Sequence, residues 1–219
     1  MLAAMVVAPA AHAPHRSQEE RSASTRGRIL DSALECLSSL GFAATTTLVV
    51  AERAGVSRGA QLHHFPTRSS LVSAAMQHLF ASLRCEYEIA FANLPPDADR
   101  VGAAIDLLWE IFQDVRLAVV LELYVAGRTD PDLRAELASV AAGHQENVLR
   151  LARACFPEAA DADGGLEAVL DLVLDTLQGM AVRRLVRPED PSIAATLARI
   201  KSLAAAAVAA PRSPKRNAR

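Results

Sequence analysis

The chain has 219 residues, 51% of them hydrophobic but only 4% aromatic, and a formal net charge of −2. Its apolar mass is therefore Ala, Leu and Val, which favours helices over sheets, and the near-neutral balance excludes a protein coated in basic residues. Cys36, Cys85 and Cys155 are odd in number and lack CxxC or paired spacing, which excludes a disulfide framework or a zinc signature.

Met1–Ser22 shows no clear period and reads as a disordered extension. Ala11-His12-Ala13 faintly resembles a signal-peptidase site, but no basic segment precedes it, so we expect a reducing, cytoplasmic setting. Arg16 and Arg21 read as part of a solvated tail, with a phosphate-touching arm as the alternative. Ser24–Leu40 is the first helix, with Ile29, Ala33, Cys36, Leu37 and Leu40 on one face and Gly41 ending it.

Two short helices follow. Thr46 or Thr47 caps the first, Thr47–Ala54, and Gly55 ends it. Val56 plugs the turn, and Ser57 caps a second helix of roughly Arg58–His64 that Pro66 stops. The first turn of the second helix, Arg58-Gly59-Ala60-Gln61, sets small residues between two long donors. Such a helix can press into a DNA major groove, with Arg58 and Gln61 reaching base edges. The alternative is an αα-hairpin whose small residues only permit close packing. Thr67 caps the next helix, running through Leu71, Ala75, Leu79 and Leu83 toward Phe91. Arg68 in its first turn opposes the helix dipole, which makes sense beside a phosphate. From Arg16 to Ser70 there are seven basic residues against five acids, so the remainder of the chain carries −4.

Gly41-Phe42, Thr46-Thr47, Ala51, Ala54-Gly55-Val56-Ser57, Gly59, His64-Phe65, the base at 68 and Leu71 together resemble the N-terminal domain of TetR-family transcriptional regulators. The resemblance covers about Thr25–Leu79. It implies an all-α homodimer with a helix-turn-helix domain and a larger ligand-responsive C-terminal domain. Two departures matter. Gln61-Leu62 replaces the Leu-Tyr common in the family, so a Tyr–phosphate contact is lost and His63 is its candidate substitute. Arg68 replaces the usual Lys and keeps the charge. The expected DNA-facing set is Thr46, Thr47, Ser57, Arg58, Gly59, Ala60, Gln61, His63, His64, Thr67 and Arg68. The expected domains are 23–70 for DNA and 71–210 for ligand and dimerisation, with a basic disordered tail over 211–219.

The remaining chain reads as further helices. Pro95-Pro96 breaks the long one; Asp97 or Asp99 caps the next, and Val115–Val125 follows, ending at Gly127. Asp130-Pro131 starts a helix to about Phe156. Pro157–Gly165 reads as a loop, and Leu166–Val186 and Ile193–Val208 as the last helices. Leu166–Val186 is apolar nearly all round and must be covered on more than one side. The two helices therefore suggest a dimeric four-helix bundle through Leu166, Leu170, Val173, Leu177, Ile193, Leu197 and Ile200. Tyr87, Phe91, Trp109, Phe112, Tyr124, His144, Gln145 and Gln178 are the candidate lining of a pocket for a small apolar or amphipathic ligand.

No nucleophile–base set emerges. His63 and His64 are adjacent and point to different sides of a helix, and Asp171 and Asp175 look like a solvated stripe. The long apolar runs carry Glu122, Asp171 and Asp175, so no membrane span is expected. We expect no enzyme, cofactor or metal, and a ligand-released repressor that binds double-stranded DNA and a second copy of itself. The alternative is a helical ligand-binding or adaptor protein without DNA binding.

Overall fold

The computed structural model describes residues 18–160 and 165–209, and among them every regular element is an α-helix. The expectations for the first seventeen residues, including Arg16, and for the basic tail fall outside this description. Helix α1 spans Gln18–Ala44 and so begins ahead of Ser24. Glu19 and Glu20 in its first turn complement the helix dipole. Ile29, Leu30, Ala33, Cys36 and Leu37 bury its inner face, whereas Leu40 is exposed. Gly41 breaks the helical path at φ 75°, and a Cβ there would lie 3.0 Å from the Glu122 carboxylate.

Helix α2 is Thr47–Ala54 and α3 is Arg58–His64. Gly55 joins them in the left-handed region, φ 62°, where glycine carries no Cβ penalty. Thr67 and Ser70 then form a reciprocal capping box that starts α4, Arg68–Ala92. Next come α5 (Arg100–Phe112, capped by Asp99), α6 (Val115–Gly127, capped by Asp114) and α7 (Pro131–Cys155, capped by Asp130). The sequence predicts a loop after α7, but Pro157–Ala160 makes one helical turn, α8. Helices α9 (Gly165–Arg184) and α10 (Ser192–Ala209) close the described chain.

One apolar cluster joins α1–α4 to α6 and α7 through Ile29, Leu37, Val50, Phe65, Leu71, Leu79, Leu123 and Leu133. A second packs α5 on α9 and α10 through Ile105, Trp109, Val173, Leu177, Met180 and Ile200. Ser192–Ala209 is the one helix among the described residues long and apolar enough to cross a membrane; here it packs on α5 and α9.

The second cluster corrects the predicted dimer face. Leu166, Val173, Leu177 and Ile200 are buried within the protomer, Leu177 completely at 0% exposure. Leu170, Ile193 and Leu197 are half-buried; Ile193 and Leu197 pack on the same cluster, and Leu170 lines a cavity. An all-round apolar helix has two apolar faces, and periodicity alone does not say which turns inward. The exposed stripe on α9 is Ala168, Leu172, Asp175, Gly179 and Val182; on α10 it is Ala195, Arg199, Leu203 and Ala206. Leu172 is 52% exposed and Val186, just beyond α9, is 81% exposed.

Candidate functional site

Three hydroxyls build the helix starts at the N-terminal end. Thr46 Oγ1 accepts from Val49 N–H at 3.2 Å, Ser57 Oγ from Ala60 N–H at 3.1 Å, and Thr67 Oγ1 from Ser70 N–H at 3.0 Å. All three caps are exposed, and Thr47 is half-buried. On α3 the open side carries Arg58, Gly59 and His63, with Ala60, Leu62 and His64 half-buried. The His63 and His64 rings meet edge-on with centroids 5.6 Å apart. Leu48, exposed on α2, shares the N-terminal end and was not in the predicted set.

Gln61 is not on that open side. It is 0% exposed, and its Nε2 donates to Phe65 O at 3.2 Å. Its Oε1 has no partner. Gly59 and Gln61, two residues apart, lie on nearly opposite sides of a helix with about 3.6 residues per turn. With Gly59 facing out, Gln61 must face in, and no base contact is open to it.

Arg68 is also reassigned. Its Nε donates to Thr45 O at 2.8 Å, its Nη2 donates to Phe42 O, and its guanidinium stacks 3.9 Å over the Phe42 ring. Phe42 and Thr45 lie at the end of α1, past the break at Gly41, where Phe42 O also accepts from Thr45 N–H at 3.1 Å. The cation that opposes the α4 dipole thus serves the C-terminal end of α1 instead of a phosphate. Nearby, Phe42 N–H donates to Glu122 Oε1 at 2.6 Å, which ties the same junction to α6.

A cavity of about 210 Å³ lies between α4, α5, α6, α7, α9 and α10. Of the residues named from the sequence, Tyr87, Phe112, Tyr124, His144 and Gln178 line it. Phe91, Trp109 and Gln145 do not. Phe91 stacks on Tyr87 at 5.8 Å and meets Phe156 edge-on. Trp109 is spent on the cluster with α9 and α10, under the Arg184 guanidinium. Gln145 is exposed, because a step of one residue turns it away from the His144 face. Sequence reasoning missed Phe80 and Arg84, although Phe80, Arg84 and Tyr87 share one helix face by spacing.

The His144 ring stacks on Phe80 with centroids 3.8 Å apart and planes 12° from parallel. Burial, reinforced by the Arg84 cation, pushes its pKa down to about 4, so the imidazole is neutral near pH 7. Burial pushes the Tyr87 and Tyr124 phenols up, so both stay protonated donors. No group of three His, Cys, Asp or Glu side chains suited to a metal occurs among the described residues.

Comparison with known proteins agrees with this geometry. Residues 29–75 match the family described as bacterial regulatory proteins, tetR family. The HTH-type transcriptional regulator CymR of Pseudomonas putida is 31% identical over 78% of this chain and 84% of its own. The HTH-type transcriptional repressor Rv1474c of Mycobacterium tuberculosis is 30% identical over 79% of this chain and 88% of its own. Among solved structures, the multidrug binding protein EbrR complexed with ethidium superposes with a TM-score of 0.59 at 23% identity, covering 85% of this chain and 99% of that one. The helix-turn-helix, the all-helical C-terminal part and these relatives make the chain a member of the TetR family of DNA-binding transcriptional regulators, which are not enzymes.

Proposed function

We propose that the protein is a homodimeric repressor, acting in the cytoplasm, that leaves a palindromic operator when a small apolar or amphipathic molecule fills its cavity. The observation that carries this reading is the pairing of an exposed, capped α3 with an apolar cavity, α4 and α6 belonging both to the cavity wall and to the cluster under α3. The relative named as a repressor supports the sign of regulation, and the ethidium complex of EbrR supports a small-molecule site in this architecture.

Arg58 is the base-reading side chain, with Gly59 and Ala60 allowing close approach and His63 beside them. Thr46, Thr47, Ser57 and Thr67 meet phosphates at helix starts. The division between DNA and ligand parts falls near the start of α4. Two copies pair through the exposed stripes of α9 and α10, whose Asp175 and Arg199 offer opposite charges. The decisive experiment binds the purified protein to fragmented genomic DNA and sequences what is retained. The expected result is a palindrome with half-site centres about 35 Å apart, or one further helical turn. Retention without sequence preference would overturn the reading.

A further inference from the structure

The cavity, read above as the ligand site, carries information about the charge of its occupant. Its volume, about 210 Å³, exceeds the roughly 150 Å³ that accommodates benzene, so one substituted ring fits and a large polycycle does not. Its polar lining is Arg84, Tyr87, Tyr124, His144 and Gln178; neither Asp, Glu nor Lys contributes. A bound cation would lose its water and find no counter-charge. An anion would find Arg84, whose fork of N–H donors matches a carboxylate in two parallel bonds.

Arg84 is placed for this. It stands one turn from Phe80 and one turn from Tyr87 on α4, and its charge acts on the His144 imidazole, which lines the same cavity. Its ion pair is with Glu88, one turn along the same helix at 3.5 Å. That pair is partly exposed on both sides, 33% and 49%, and a pair of this kind holds its cation weakly. The stacked Phe80 and His144 rings, with Tyr87 and Phe112, supply aromatic walls. We propose that the cavity takes a single-ring aromatic carboxylate, its ring among these walls and its carboxylate on Arg84 in place of Glu88.

The test is calorimetric titration of the full-length protein near neutral pH at fixed salt with three probes of one shape. These are para-tert-butylbenzoate, the neutral para-tert-butylbenzamide and the cationic para-tert-butylbenzamidine. The benzoate should bind at least about tenfold tighter than the amide, the size of one charge-assisted hydrogen bond, with the amidine weakest. Arg84→Gln should bring the benzoate down to the amide. Glu88→Gln should tighten the benzoate alone, because it removes the competing carboxylate; this variant keeps the test valid if Arg84→Gln fails to fold. Equal affinities, an amidine that binds best, or a benzoate–amide ratio unmoved by both variants overturns the proposal. Val148→Trp, which fills the cavity wall, separates the two readings. If the amide or amidine binds and Val148→Trp abolishes it, the cavity remains a ligand site and only the charge assignment falls. If no probe binds or raises the melting temperature of the wild type, both fall.

Discussion

His144 makes a pH-dependent contribution whose sign follows from its burial. Its imidazole titrates near 4 in the folded protein against 6.5 in the open chain. Between those values the unfolded state binds the extra proton, so stability falls as pH drops through 6.5 and levels off near 4. His144→Phe should flatten that stretch of a plot of melting temperature against pH. The Arg116 guanidinium hydrogen-bonds Glu86 and Asp114 and holds both carboxyls below their usual range, so they lose their contribution only at lower pH. Gln61 poses a different residue-scale question. Its buried Oε1 lacks a partner, and such a group costs about 1–3 kcal/mol. Gln61→Met, which removes that carbonyl while giving up one bond to Phe65 O, should leave the denaturation midpoint unchanged or raise it. A loss of DNA affinity in this variant without a loss of stability would restore Gln61 to the groove. Arg68→Ala should cost about 1–3 kcal/mol of stability, because it strips partners from the end of α1. The salt dependence of DNA binding should hardly change, whereas a lost phosphate contact would lower its slope by about one.

At the scale of elements, the starts of α2, α3, α4, α5 and α7 were legible to within a residue or two because their chemistry is local, whereas α1 begins at Gln18, six residues ahead of Ser24. Thr46, Ser57, Thr67, Asp99 and Asp130 each bond a backbone N–H three residues on, so the sequence displays donor and acceptor together. Orientation was not legible where two faces are nearly equivalent. On α9 both sides are apolar, and only packing against α5 turns Leu177 inward and Leu172 outward. Arg68 was misjudged for a related reason: its acceptors lie 23 and 26 residues back, where no short-range pattern reaches. These orientations separate two substitutions. Leu172→Glu on the exposed stripe should give folded monomers in sedimentation, while Leu177→Glu buries a lone carboxylate and should unfold the protomer. A Leu172→Glu protein that still sediments as a dimer would put the interface elsewhere. On α3, Arg58→Ala should cost about 1–3 kcal/mol on the best operator and relax one base position per half-site. A binding series over operator variants reads both effects.

The whole molecule joins its reading and sensing parts through one junction. The break at Gly41 leaves the end of α1 held from two directions, by Arg68 on α4 and by Glu122 on α6. The apolar cluster beneath α2 and α3 is likewise completed by Val119, Val120 and Leu123 of α6 and by Leu133 and Leu137 of α7. The stretch that carries the family signature, residues 29–75, therefore owns only part of its own core. It follows that the reading head is not portable. Expressed alone, it would expose that apolar surface and leave the Phe42 N–H without its carboxylate. Grafted onto a relative's sensor, it would need a host helix with an acid at the place of Glu122 and apolar residues where α6 and α7 close the core. A chimera whose host lacks them should melt early and grip its operator poorly, and restoring the acid alone should recover part of both.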